Sequence, residues 1–233
     1  MKKILSLVVC ASALLAFGEA VETQIATVGV TKINSGLQNT ILAVSYGDLE
    51  SGNIKIENLV KTTNLSQGDE LRVYNTGKSY DSWTLEDGKW VATKTVSKDA
   101  NGNDVIGSGT SVKTTVPVGT GIWLIRKDYS NPFYIYGAPV TTKTVSLSVG
   151  WNLVGNPDQK NALAIPVDPA IGDRVIVSSL REYNYDANGW YYTTTQKNEK
   201  TGAVRLIKNR EDPAIDAGLG FWYYTQTAKT INW

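Results

Sequence analysis

Gly218-Leu219-Gly220-Phe221-Trp222-Tyr223-Tyr224 lies near the C-terminus of the chain, and Gly119-Thr120-Gly121-Ile122-Trp123-Leu124-Ile125 is its echo in the middle. Each stretch sets two glycines around one spacer, then runs into β-branched, aromatic and Leu residues of the kind that favour a strand. Working outward, further pairs appear in the same order. Gly150-Trp151-Asn152-Leu153-Val154 answers Gly36-Leu37, and Gly172-Asp173 before Arg174-Val175-Ile176-Val177 answers Gly68-Asp69 before Glu70-Leu71-Arg72-Val73. Tyr183 and Trp190 bracket Asp186-Ala187-Asn188-Gly189 as Trp83 and Trp90 bracket Asp87-Gly88. The distance between partners shrinks steadily along the chain, as a duplication with deletions in the second copy would leave it.

The intervening segments also read as strands. Leu37 to Tyr46 is an apolar run ended by Gly47-Asp48, and Leu71 and Val73 alternate with polar neighbours. Ser82 to Leu85 and Lys89 to Ala92 flank Glu86-Asp87-Gly88, and Asp-Gly between alternating runs is a hairpin signal. Ile54 and Ile56 alternate as in a strand, while Ile56, Leu59 and Val60 fit one helical face, so this piece is open to either reading. Short strands at close spacing, punctuated by Gly, Asn and Asp, predict an all-β fold. Its expected form is two tandem related β-sandwich or barrel-like units from an internal duplication. Gly137-Ala138-Pro139 marks the expected linker.

At 233 residues the chain is long enough to bury a sizeable core or two smaller ones. Lys2 and Lys3, the apolar run from Ile4 to Phe17, and Gly18-Glu19-Ala20 form the pattern of a Sec-type secretory signal. The expected organisation is a signal peptide over 1–20, a first β repeat unit over 21–140 and a second, shorter one over 141–233. No later run approaches the roughly 20 apolar residues of a membrane-spanning helix, so no transmembrane segment is expected in the mature chain. The expected location is secreted, periplasmic or at the cell surface. Cys10 is the one cysteine and lies in the leader, which removes disulfides and thiol chemistry from the mature protein. With Lys2, Lys3 and Glu19 gone, the remaining charges balance. Lys and Arg are scattered rather than clustered, so nucleic acid is not an expected partner.

The second half carries Gly150-Trp151-Asn152-Leu153-Val154-Gly155-Asn156-Pro157 and later Gly218-Leu219-Gly220-Phe221-Trp222. In these motifs it resembles β-rich repeat modules of exported bacterial surface proteins, which share a Gly-Trp-Asn-Leu strand and a Gly-x-Gly-aromatic-Trp strand. The resemblance covers residues 143–233 and, in weaker form, 24–137, where Leu37 stands in place of the Trp. It implies no activity, and no catalytic residue is carried over from it.

The chain contains no histidine. That removes Ser-His-Asp and Cys-His hydrolysis and the commonest zinc and copper sites. Carboxylate chemistry is left, which in a glycosidase needs two acidic groups at defined separation. Asp69 and Asp173 are the matching pair, although Gly-Asp before a strand is more simply a turn whose Asp bonds its own backbone. Asp99-Ala100-Asn101-Gly102-Asn103-Asp104 places oxygens at alternate positions but lacks the Gly and Glu of a calcium loop, and reads as a hairpin tip. No metal or cofactor is expected.

Seven Trp and twelve Tyr against three Phe is a large allocation of rings with polar handles, suited to stacking on sugars or to protein interfaces. Trp123, Trp151 and Trp222 follow glycines inside apolar runs and are expected in the core. The candidate ligand-binding residues are those on hairpins: Trp83, Trp90, Tyr183, Tyr185, Trp190, Tyr191 and Tyr192. Core packing and a binding face are equally compatible with them. The expectation is an exported, non-catalytic binding or scaffold protein of the bacterial periplasm or surface, with a glycan or a protein as candidate ligand. The alternatives are a carboxylate-dependent glycan-cleaving enzyme and a self-assembling surface or appendage subunit. Oligomeric state is not readable.

Overall fold

Two six-stranded antiparallel sheets, laid out in the same order, carry the fold in the computed structural model. The model describes residues 29–33, 38–47, 53–75, 79–108, 115–139, 144–158, 163–165, 167–177 and 181–233. The leader over 1–20, the boundary at 140/141 and the Gly36-Leu37 landmark lie outside the described residues. In the first sheet the strands run, edge to edge, Asn39–Ala43, Gly121–Ile125, Glu70–Asn75, Ser79–Glu86, Lys89–Lys98 and Asp104–Ser108. In the second they run Gly150–Gly155, Gly220–Thr225, Arg174–Ile176, Glu182–Asp186, Gly189–Lys197 and Val204–Arg210. The first half adds a two-stranded ladder and a four-stranded sheet, in which Phe133–Pro139 also pairs with Tyr46–Gly47 and Val60–Lys61, and the second half adds two two-stranded ladders. Asn53–Lys55 pairs with Thr115–Pro117 and Gly29–Ile33 with Phe133–Pro139; Leu163–Ala164 pairs with Ala214–Ile215 and Thr144–Leu147 with Lys229–Asn232.

The chain is all-β, and local chemistry explains its hairpins. Asp87 and Gly88 both take positive φ (47° and 74°), the requirement of a type I′ turn, and they join strands whose register closes at Glu86 opposite Lys89. The ambiguous segment satisfies both of its readings in sequence. Asn53–Lys55 is extended, Ile56–Leu59 makes one helical turn, and Ile54, Ile56, Leu59 and Val60 are all buried. Gly137-Ala138-Pro139, expected as a linker, instead ends strand Phe133–Pro139, where Ala138 and Pro139 pair with Gly47 and Tyr46. Pro is tolerated there because it sits at a strand end, where a missing N–H costs no internal ladder bond.

One apolar core lies against each sheet. The first gathers Leu42, Leu71, Val73, Ile122, Leu124, Phe133 and Ile135, the second Val154, Val175, Ile215, Phe221, Tyr223 and Ile231. The halves meet at the two Gly-x-Gly motifs. Ala43 N–H donates to Gly218 O (2.9 Å) and Gly155 N–H to Gly119 O (2.8 Å), while Leu42 bridges Leu219 and Thr120 bridges Val154. Each half thus offers its inner edge strand to the glycine motif of the other. A β-carbon on Gly121 would lie 2.7 Å from Leu153 Cγ and 2.8 Å from Val154 O, and one on Gly220 would lie 2.8 Å from Val154 O and 3.0 Å from Leu42 O. Only glycine admits backbone that close.

Candidate aromatic–arginine row

Strand alternation decides which aromatic side chains are available to a ligand. In Gly220–Thr225, Phe221 and Tyr223 are fully buried in the second core, so Trp222 and Tyr224 project from the opposite face, where they are half-buried. Directly opposed residues of an antiparallel pair share a face, which allows that face to be followed across the sheet. Trp151 is opposite Tyr224, Tyr224 opposite Arg174, Arg174 opposite Asn184, Asn184 opposite Tyr191, and Tyr191 opposite Arg210. The result is a row of aromatic, aromatic, cation, amide, aromatic and cation that crosses all six strands.

The row is internally stacked. The Trp151 and Tyr224 rings meet edge-on at 5.4 Å, and the Arg174 guanidinium lies 5.0 Å from the first ring centroid and 4.5 Å from the second. Further along, Lys208 Nζ and the Arg210 guanidinium lie 4.1 and 5.0 Å from the Tyr191 centroid. Asp186 accepts both guanidinium nitrogens of Arg210 at 2.6 and 2.8 Å, and a bond from Lys208 at 3.2 Å. Arg210 first, then the Asn188 N–H and Lys208, hold the Asp186 carboxyl well below the usual carboxylate range. Asp186 is ionised at neutral pH and fixes both cations beside the ring.

The first sheet carries a shorter version. Trp123 is opposite Arg72, whose guanidinium lies 4.7 Å from the Tyr80 centroid and 5.9 Å from that of Trp123, and Glu70 grips Arg72 with two bonds of 2.9 Å. Beyond Arg72 the row continues as Ser82, Lys94 and Ser108, without rings. Tyr74, opposite Tyr80, meets Trp222 edge-on at 4.8 Å, so ring contact passes from one sheet to the other.

The structure distributes the seven hairpin aromatics unevenly. Trp83 and Trp90 are buried in the first core and Tyr183 and Trp190 in the second. Tyr185 and Tyr192 are half-buried but pack against the second core, Tyr185 on Trp190 (5.1 Å) and Tyr192 on Tyr183 (5.5 Å). Tyr191 alone of the seven joins the row. Trp123, Trp151 and Trp222, expected in the core, stand half-buried on the outward faces. Alternation was the signal for the missed residues: four consecutive aromatics, Phe221 to Tyr224, have to divide between two faces.

The remaining candidates resolve into structural roles. Asp69 accepts the Ser66 and Lys127 N–H groups at 2.9 and 2.7 Å, and Asp173 accepts the Ala170 N–H at 3.0 Å, the Tyr223 hydroxyl at 2.7 Å and the Lys229 ammonium at 2.5 Å. Burial works to raise the Asp173 pKa, but these donors outweigh it and hold the carboxyl below its ordinary value. Burial and the neighbouring Asp173 carboxylate push the Tyr223 hydroxyl far up. Asp99 is committed to its own tip, accepting the Asn101 and Asn103 N–H groups at 2.8 Å each. Among the described residues no cluster of three or more acidic side chains is placed to hold a metal ion.

The shared motifs have local explanations too. Asn152 Oδ1 accepts the Ser148 N–H (2.9 Å) and its Nδ2 donates to Ser148 O (2.7 Å) and Gly150 O (3.0 Å), stitching the turn that opens the Gly-Trp-Asn-Leu strand. Asn156, fully buried, donates to Ile215 O and accepts from the Asp158 N–H, each at 2.9 Å, which fixes the Gly-Asn-Pro stop. These asparagines serve the fold. No protein-family model, curated protein or solved structure matches the chain.

Proposed function

We propose that the chain is an exported, non-catalytic binding protein of a bacterial periplasm or surface, and that it holds a linear glycan along the row from Trp151 to Arg210. The observation that carries this reading is the row itself: three half-buried rings interspersed with two guanidinium groups and an amide across six strands on one face. Five interstrand spacings give it a length of about 24 Å, which suits an extended chain rather than a compact ligand. Ring faces receive the C–H surfaces of sugars, and guanidinium donors address hydroxyl or carboxylate oxygens. The rings are held in place by Arg174, Lys208, Arg210 and Asp186, so little side-chain entropy is lost on binding. The signal-like segment over 1–20 supports the exported location.

Retention of the purified chain on a glycan array is the test. Trp151→Ala with Tyr191→Ala should lower affinity for retained glycans at least about tenfold, equivalent to about 1.4 kcal/mol, with an unchanged circular dichroism spectrum. Undiminished retention by this double variant overturns the assignment of the row.

A further inference from the structure

The inner edge strand of each sheet is met at its C-terminal end by the glycine motif of the other half. The outer edges are Asp104–Ser108 in the first sheet and Val204–Arg210 in the second, and among the described residues no strand pairs with the far side of either. Both carry large apolar side chains in solvent: Val105 is 50% exposed, Ile106 67%, Val204 63% and Leu206 73%. An open edge presents a row of unpaired backbone donors and acceptors, and natural sheets usually guard such edges against added strands.

The guarding here is selective. Val204–Arg210 carries Arg205, Lys208 and Arg210 and no acidic residue, so two copies of it brought edge to edge would crowd six basic side chains together with no acid between them. Asp104–Ser108 carries one charge, and it is acidic. An antiparallel pairing of the two that sets Ile106 opposite Leu206 also sets Asp104 opposite Lys208, Val105 opposite Ile207 and Ser108 opposite Val204. Apolar meets apolar on both faces, and acid meets base. We propose that the Asp104–Ser108 edge of one copy of this chain pairs in this register with the Val204–Arg210 edge of the next, so that copies join head to tail into an open polymer. The two edges are different surfaces of one molecule, so the contact is heterologous and adds subunits without closing a pair. Lys208 takes part in both the contact and the glycan row, but Ile106 and Leu206 lie outside the row as Trp151 and Tyr191 lie outside the contact, so the two experiments fail independently.

Sedimentation of the purified chain tests this with two variants at exposed positions. Ile106→Lys blocks the first edge and Leu206→Lys the second. The unaltered chain should show species larger than a dimer that grow with concentration. Each variant alone should sediment as a monomer with its circular dichroism unchanged. An equimolar mixture of the two should form a dimer that grows no further, because one intact edge of each kind remains. A chain that stays monomeric up to its solubility limit overturns the proposal, as does either variant elongating alone. Dimers formed by Leu206→Lys alone would mean that two Asp104–Ser108 edges pair with each other, which also overturns it.

Discussion

Asp173 ties a turn, a core tyrosine and a half-buried ammonium together at one carboxylate. Its carboxyl titrates lower in the folded chain than in the unfolded one. The stabilisation it gives is therefore complete above the unfolded value of about 4 and is lost as the pH falls below that toward the folded value. Asp173→Ala leaves the half-buried Lys229 ammonium with only its bond to Asp168 O (2.9 Å) and frees the Tyr223 hydroxyl and the Ala170 N–H, and should destabilise the chain by about 2 kcal/mol at neutral pH. The variant should also lose less of its thermal midpoint than the parent between neutral pH and pH ~3, a comparison that calorimetry can make. Trp90 and Trp190 make the opposite case among the aromatics. Each fills a core, and Trp90 Nε1 donates to Val60 O at 3.4 Å. Truncating either to Ala should cost about 3–5 kcal/mol in denaturant unfolding, a loss of fold rather than of ligand. Composition identified the rings as the residues to watch but not which ones face water. That depends on strand parity, which shifts where an irregularity intervenes, as the register does between Ser82 and Trp83.

At the scale of elements, strands and hairpins were readable because their causes are local: Asp-Gly turns, alternation and Gly breaks. The Gly-x-Gly motif was readable as a recurring device, but its purpose was not, because the atoms that require it come from the other half of the chain. A turn explains Gly119 and Gly218, which take positive φ (88° and 72°). It does not explain Gly121 and Gly220, which open their strands and leave room for foreign backbone. Gly220→Val should therefore force the halves apart and cost about 2–3 kcal/mol in chemical denaturation. Gly107→Ala, whose β-carbon would meet only Thr95 O at 3.7 Å, should change stability by no more than about 0.5 kcal/mol.

Across the whole molecule, two sheets with one strand order meet at two glycine motifs, with a ring-lined face on each and an open edge at the far side of each. The all-β class followed from the sequence, because alternation and Gly, Asn and Asp breaks act locally. The continuous row did not, because it assembles residues from six strands whose neighbours are set by pairing and not by chain order. That pairing also governs how the molecule forms. In each sheet the strand after the glycine motif is the last of the six in the chain, yet it lies between the first two, so Gly121–Ile125 joins Asn39–Ala43 to Glu70–Asn75 and Gly220–Thr225 joins Gly150–Gly155 to Arg174–Ile176. The hairpins can form early from neighbouring residues, but each sheet waits for a distant strand to enter its middle, and such non-local closure is slow. A chain emerging from its N-terminus completes its second sheet only when Gly220–Thr225 arrives, and until Gly218 emerges, Ala43 at the inner edge of the first sheet lacks its acceptor.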